Sequence, residues 1–129
     1  MNKILVEVSV GELFDKISIL EIKKEKIKDS EKLKFINDEY EVLKNELEKN
    51  IKIDEKLAKF FTALKNVNSK LWIIEDDKRK CEKDSDFGEN FIRLSRDVHF
   101  FNDTRSKIKL DINNHTGSKI KEIKEYTSY

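Results

Sequence analysis

The chain contains no proline and only three glycines among its 129 residues. Proline breaks helices and glycine weakens them, so their scarcity removes the usual interruptions of long helices. Charged residues make up 41% of the chain and apolar residues 37%. Such a composition is typical of long solvated helices and not of a turn-rich β protein. The composition therefore predicts an all-α protein.

Three further absences restrict the compartment and the partners. Cys81 is the only cysteine, so no intramolecular disulfide is available. No run approaches the roughly 18 consecutive apolar residues of a transmembrane helix, and the first residues lack the pattern of a signal peptide. The formal net charge is +1, which gives no general field to attract nucleic acid or anionic membranes. We therefore expect a cytoplasmic protein with neither a nucleic-acid nor a membrane partner.

Common catalytic and metal-binding patterns are also missing. The chain has no glycine-rich phosphate loop and no nucleophile elbow, and His99 and His115 are not spaced as zinc ligands. Glu75, Asp76 and Asp77 form an acidic run that is typical of a solvated helix face. We expect neither a metal ion nor a cofactor.

Four segments have the apolar spacing of helices, and the third is expected to run from about residue 54 to residue 83. The short connection between the third and fourth helices predicts that they are antiparallel. The sequence thus predicts an antiparallel bundle of about four helices, with two long helices forming a hairpin, in a single domain over residues 1–129. The expected caps are Ser9 in a capping box with Glu12, then Asp29 or Ser30, Asp54, and Asp86 in a box with Glu89.

Both ends of the chain differ from the helical pattern. Ile4, Val6, Val8 and Val10 occupy alternate positions, which predicts a strand within an extended arm over residues 1–10. The backbone of a lone strand must be satisfied, so the arm pairs with another copy, packs on the helices, or pairs with the C-terminal tail, residues 118–129. The tail itself fits a short amphipathic helix or a partly ordered segment.

One arginine interrupts the apolar seam of the fourth helix. Arg105 occupies a heptad position where the other members are apolar. An unpaired buried guanidinium costs several kcal/mol, so Arg105 requires a carboxylate partner, a bound anion, or a route to water. Glu21 of the first helix is the preferred internal partner. The apolar seam residues are Phe91, Leu94, Val98, Phe101, Ile108 and Ile112.

Arginine is rare in the chain and unevenly placed. Only four of the 27 basic residues are arginines, and all four lie between positions 79 and 105. A guanidinium suits fixed contacts to carboxylates or phosphates better than an ammonium does. Two interpretations stay open: internal salt bridges, or a carboxylate or phosphate ligand that completes the charge balance. The candidate ligand-binding residues are Lys16, Glu21, Asn68, Glu75, Arg79, Arg93, Arg96, Asn102, Asp103 and Arg105.

Several stretches resemble a family of uncharacterised bacterial and phage proteins that is defined as a domain of unknown function. They are ILVEVSVGELFDKISILEIKKEKI at 4–27, VNSKLWIIEDDKRKCE at 67–82 and FIRLSRDV at 91–98. Members of that family are small, and some occur with genes for cell-surface polysaccharides. The resemblance implies no established activity. It implies a characteristic pattern made of Gly11, Glu12, Asp15, Lys16, Glu75, Asp76, Arg79, Arg96, Asn102, Asp103 and Arg105.

The first functional hypothesis is a helical binding or assembly module that forms a homodimer, because long helices and an unpaired strand leave apolar surface uncovered. Its partner is an anionic small molecule or another protein, for which the tail offers a docking segment. The alternative is a small all-α enzyme acting on a carboxylated or phosphorylated metabolite, linked to cell-surface polysaccharide metabolism. For such an enzyme, the anion clamps are Arg105, Arg96, Arg79 and Lys16, and the base is Glu21 or Glu75.

Overall fold

The computed structural model describes residues 3–129, which form four α-helices and no β-strand. The helices are α1 (Val10–Lys26), α2 (Ser30–Asn50), α3 (Glu55–Lys83) and α4 (Glu89–Thr116). The prediction of an all-α chain with about four helices is confirmed. No helix in this part of the chain combines the length and apolar character needed to cross a bilayer.

The first three helices begin at the predicted caps. The Ser9 hydroxyl accepts a hydrogen bond from the backbone N–H of Glu12 at 3.0 Å. The Asp54 carboxylate accepts one from the backbone N–H of Leu57 at 2.8 Å, and Asp29 caps α2 in the same way. Each side chain satisfies an amide of the first turn that has no partner within its own helix.

The start of α4 differs from the prediction. The N-cap is Gly88, which makes no side-chain capping bond, and not Asp86. The Asp86 carboxylate instead accepts from the backbone N–H of Gly88 at 3.2 Å, which shapes the turn before the helix. At the other end of α4, Gly117 has φ +67°, a left-handed conformation that ends the helix at little cost for glycine.

Helix α1 is central and packs against the other three helices. Helices α3 and α4 form the expected antiparallel hairpin: Asp54 contacts His115 at one end, and Cys81 contacts Asn90 at the other. Helix α1 runs antiparallel to α4, and α2 packs on α1 alone. This arrangement places one face of α1 along the hairpin.

The apolar side chains form two clusters, and Arg105 lies between them on α4. The predicted α4 seam contributes to both, with Arg105 following Phe101 of one cluster and preceding Ile108 of the other. The larger cluster is made of Phe14, Ile17, Leu47, Leu57, Leu64 and Ile112. The smaller cluster lies farther along the hairpin and contains Ile74, Cys81 and Leu94.

Within a single copy, the alternating N-terminal residues form no strand. Val10 is already helical, and residues 3–9 form no strand. Ile4, Leu5 and Val6 are 85%, 83% and 75% exposed, so neither the helices nor the tail covers them. The alternating pattern does not suffice because a strand also needs a backbone partner, and residues 3–129 supply none. The tail is not helical either, and its residue Glu122 contacts Lys109 of α4.

Candidate functional site

Arg105 is paired with Asp15 of α1, and not with Glu21 as predicted. Arg105 Nε donates to Asp15 Oδ1 at 2.9 Å, and Nη2 donates to Oδ2, so the guanidinium and the carboxylate meet along one edge. The Asp15 side chain is 2% exposed and the Arg105 side chain 29%. The interruption of the α4 seam is therefore neutralised within the fold by a buried interhelical salt bridge.

Asn68 of helix α3 forms a hydrogen bond with the carboxylate of this ion pair. The Asn68 amide donates from Nδ2 to Asp15 Oδ1 and to the Ser18 hydroxyl, both at 2.8 Å. Burial raises the pKa of Asp15, but the hydrogen bonds from Arg105 and Asn68 and the nearby positive charges outweigh it. The pKa of Asp15 therefore lies below its ordinary value, and the carboxylate is charged at neutral pH.

Glu21 faces a different side of α1. Its carboxylate accepts from Lys65 Nζ at 3.2 Å and from the Tyr40 hydroxyl at 3.2 Å. Asp15 and Glu21 are six positions apart, which corresponds to roughly 240° around a helix. The two acids therefore point in different directions: both contact α3, but only Asp15 contacts α4.

A second polar contact joins α1 to α4 nearer the end of the hairpin. Lys109 Nζ donates to Glu12 at 2.7 Å and to Glu122 of the tail at 2.8 Å. Burial lowers the pKa of Lys109, but these two carboxylates outweigh it, so the pKa lies above its ordinary value. The Gly11 backbone N–H also donates to Asn113 Oδ1 at 2.7 Å.

Gly11 allows the backbones of α1 and α4 to approach closely. A Cβ atom at this position would lie 2.4 Å from the carbonyl oxygen of Lys109, so close that the backbone of α1 or α4 would have to shift. Gly11 is buried and lies beside the Lys109 and Asn113 contacts. The close approach lets short polar side chains of α1 reach α4.

Next to the Asp15–Arg105 pair, residues of α1, α3 and α4 line an open pocket of about 420 Å³, here called the cleft. Four of its lining side chains are apolar, and the others are charged or amide-bearing. Trp72 is partly buried and lines the cleft. The lining residues are Ile19, Ile22, Asn68, Leu71, Trp72, Glu75, Asp76, Arg79 and Arg105.

Four of the predicted site residues line this cleft: Asn68, Glu75, Arg79 and Arg105. Arg79 donates to the Glu75 carboxylate at 2.8 Å, one turn earlier on α3. Asn102 is adjacent, because its Oδ1 accepts from Arg105 Nη1 at 3.4 Å. The structure therefore brings five of the ten candidate residues into one region.

The other five candidates lie elsewhere. Arg93 and Arg96 line a separate surface pocket on the outer face of α4 with Glu89 and Asp97. Lys16 is exposed and lies 3.9 Å from Glu12, while Glu21 contacts Lys65. Asp103 accepts from the Tyr129 hydroxyl. The four arginines therefore do not form one cluster, since two face the cleft and two face away from it.

The residue spacing contains a signal for the contacts that sequence reasoning missed. Gly11, Asp15 and Ser18 are spaced as one face of a helix, and Lys109 and Asn113 follow Arg105 at intervals of four. Such a face of small and polar residues indicates close helix packing. Among residues 3–129, no group of three or more histidine, cysteine or acidic side chains is placed to hold a metal ion.

The sequence pattern of one protein family matches residues 4–129, nearly the whole chain. That family is described as a family of unknown function, DUF6165. No curated protein and no solved structure matches the chain. The geometry of the cleft and its ion pairs is therefore the basis for inferring a function.

Proposed function

Starting from the premise that this chain belongs to the DUF6165 family of unknown function, we propose that it is a helical binding module that holds a small molecule in the cleft. The observation that carries the proposal is the open pocket of about 420 Å³ beside a paired but accessible guanidinium. Small-molecule sites typically have volumes of about 300–1,000 Å³ and mostly apolar walls with a few oriented polar groups.

The lining fits this description. Ile19, Ile22, Leu71 and Trp72 supply apolar wall, and the polar groups are concentrated on α3 and at Arg105. The ion pair with Asp15 and the Asn68 hydrogen bonds hold the Arg105 side chain without a ligand. A ligand would therefore meet a preformed site and would not have to order the arginine.

The single tryptophan makes binding directly measurable. Trp72 lines the cleft and is the only tryptophan in the chain. Titration with anilinonaphthalene sulfonate, an aromatic dye, is expected to quench Trp72 emission and to produce sensitised dye emission by energy transfer. Saturation at one dye per chain supports the proposal. No saturable transfer at any dye concentration contradicts it.

A matched pair of substitutions separates the cleft from the rest of the surface. Ile19→Phe adds a ring inside the lining, whereas Ile73→Phe makes the same change on α3 at a residue that is 51% exposed and outside the lining. We expect Ile19→Phe to weaken dye binding about tenfold, the equivalent of about 1.4 kcal/mol, and Ile73→Phe to leave it unchanged. Equal effects of the two substitutions would place the dye elsewhere.

A second candidate function is self-association through the N-terminal arm, and its support is charge complementarity. In an antiparallel pairing of two arms centred on Leu5, Lys3 of each copy lies opposite Glu7 of the other, and Ile4 lies opposite Val6. All these side chains are exposed in one copy. Pairing with a second copy would therefore give the arm a backbone partner and place its apolar side chains beside those of the other arm, as the homodimer hypothesis requires.

A stable interface buries about 800 Å² per partner, which is more than so short an arm provides, so we expect a weak dimer. Sedimentation velocity from micromolar to about 1 mM protein therefore tests this pairing. Glu7→Lys places like charges opposite each other and should abolish the dimer. The double exchange Lys3→Glu with Glu7→Lys should restore it. A monomer at every concentration, or no response to Glu7→Lys, would contradict the pairing.

A further inference from the structure

We propose that the ligand of the cleft is a flat apolar molecule with a single carboxylate, which Arg105 binds along the edge of its guanidinium that Asp15 leaves unused. This inference rests on the binding function proposed for the cleft and specifies the chemical class of the ligand.

The hydrogen-bond inventory of Arg105 leaves two donors. A guanidinium has five N–H groups arranged in one plane. Asp15 takes Nε and one N–H of Nη2, and Asn102 takes one N–H of Nη1. One N–H on each Nη atom therefore has no partner among residues 3–129. The free N–H of Nη2 lies on the end edge of the guanidinium, because the other one faces Asp15 beside Nε. We infer that Asn102, three residues before Arg105 on α4, accepts from the Nη1 N–H on the stem side. The remaining N–H of Nη1 then completes the end edge, whose spacing matches the two oxygens of a carboxylate.

The position of Arg105 makes this edge usable by a ligand. Its side chain is 29% exposed and lines the cleft, while Asp15 is buried beneath it. The bidentate contact with Asp15 and the support from Asn68 hold the guanidinium plane in one orientation. A second carboxylate can therefore bind end-on without displacing Asp15.

The local charge favours a monoanion over a dianion. The cleft is lined by two guanidinium groups and by the carboxylates of Glu75 and Asp76, so the formal charge of the lining is zero, and buried Asp15 adds one negative charge behind Arg105. Arg79 is already paired with Glu75. The electrostatic repulsion from this negative charge is about twice as large for a phosphate dianion as for a carboxylate, and both can accept the same two hydrogen bonds.

The apolar side of the cleft specifies the body of the ligand. Trp72, Ile19, Ile22 and Leu71 present side chains from α1 and α3 beside Arg105. An aromatic ring packs well against an indole face or edge, and an aliphatic wall adds no directional requirement. A bicyclic aromatic carboxylate therefore combines both recognition elements in one probe.

Three probes with the same ring system test the inference on the wild-type chain. Naphthoate carries the carboxylate, naphthalenemethanol is neutral, and naphthyl phosphate is a dianion above neutral pH. Calorimetric titration at pH 8 is expected to give naphthoate an affinity about tenfold higher than that of either other probe. If naphthalenemethanol binds as tightly as naphthoate, the proposed recognition of a carboxylate is contradicted. If naphthyl phosphate binds more tightly than naphthoate, the proposed preference for a monoanion is contradicted. In both cases the binding function of the cleft stands, whereas failure of all three probes and of the dye contradicts that function as well.

Two variants test which arginine of the cleft binds the carboxylate of naphthoate. Arg105→Lys retains a counter-charge for Asp15 but removes the second pair of donors, so naphthoate should lose about tenfold in affinity while naphthalenemethanol is unaffected. Arg79→Gln removes the other arginine of the lining, which is exposed and paired within its own helix, and should change naphthoate affinity less than about twofold. The reverse order of effects would overturn the role of Arg105. Since the probe comparison uses the wild-type chain, it decides the inference even where Arg105→Lys does not fold.

Discussion

Replacing Arg105 with methionine is expected to destabilise the protein by about 3 kcal/mol at pH 7. The substitution keeps an apolar stem on the α4 seam but leaves the Asp15 carboxylate, which is 2% exposed, with a single side-chain hydrogen bond, from Asn68. Removing one partner of a buried ion pair typically costs about 3–5 kcal/mol. We take the lower end because Arg105 itself is 29% exposed and its charge is partly solvated in the native state.

The complete double-mutant cycle distinguishes a buried charge from a simple loss of packing. Asp15→Leu with Arg105→Met removes both charges and should lie within about 1 kcal/mol of the wild type, because a well-packed apolar pair often replaces a buried ion pair without loss. The coupling energy between the two positions should therefore be at least about 2 kcal/mol. Urea unfolding followed by far-UV circular dichroism measures all four free energies of unfolding. A cost below about 1 kcal/mol for Arg105→Met, or additive effects of the single changes, would refute the reasoning.

The dependence of that cost on pH has a definite sign. In the wild type, the pKa of Asp15 is below its ordinary value, so this carboxylate stabilises the fold above its unfolded pKa, and the stabilisation is lost as pH falls through the folded pKa. Burial is the largest single influence on the pKa of Asp15, so without Arg105 we expect burial to outweigh the hydrogen bond from Asn68 and to raise that pKa. As pH falls, protonation of Asp15 then stabilises the folded variant at a pH where the wild type has not yet lost its ion pair. The difference in free energy of unfolding between wild type and variant should therefore be smaller at about pH 4 than at pH 7.

Two other predictions concern the start of α1. Gly11→Ala should cost about 1–3 kcal/mol in the free energy of unfolding, because the new Cβ would lie 2.4 Å from the Lys109 carbonyl oxygen, whereas Gly88→Ala, where the nearest atom is 3.5 Å away, should cost less than half as much. Similar losses in the two variants would contradict the close approach of α1 to α4. Ser9→Ala should cost about 1 kcal/mol by removing the acceptor for the Glu12 N–H, and Ser9→Thr should retain most of that stability. Thermal unfolding of the variants side by side checks both predictions.

The helices could be predicted because their signals are local. The capping side chains of Ser9, Asp29 and Asp54 act on amides within three residues, and the apolar spacing within each helix reports its buried face. The cap of α4 differs from the prediction, because the Asp86 carboxylate accepts from the Gly88 N–H in the turn after α3 and Gly88 becomes the N-cap. The N-terminal arm differs for a similar reason: its alternating apolar pattern is local, but a strand also needs a backbone partner that the pattern does not specify.

The candidate site was only partly predictable, because its geometry depends on how α1 faces the hairpin. The position of Arg105 on its seam predicts that a partner is required, but nothing local in the sequence indicates that Asp15, and not the predicted Glu21, faces α4. Rotation around α1 separates them, and that rotation follows from the position of Gly11 against Lys109, a contact between residues far apart in the chain. Similarly, the four arginines are close in sequence, but closeness in sequence does not predict that Arg93 and Arg96 face away from the cleft.

The polar contacts between α1 and α4 define one register of the two helices. Arg105 meets Asp15, Lys109 meets Glu12, and Asn113 meets the amide of Gly11, in antiparallel order along both helices. Sliding α1 by one turn, about 5.4 Å, would move Asp15 away from Arg105 and bring a Cβ-bearing residue to the place that Gly11 occupies. Apolar packing alone distinguishes such registers weakly, whereas a displaced buried charge costs several kcal/mol. Since the cleft is bounded by α1, α3 and α4, its shape depends on the same register. The arginine that interrupts the seam therefore sets the geometry of the cleft through one edge of its guanidinium and presents the other edge to it.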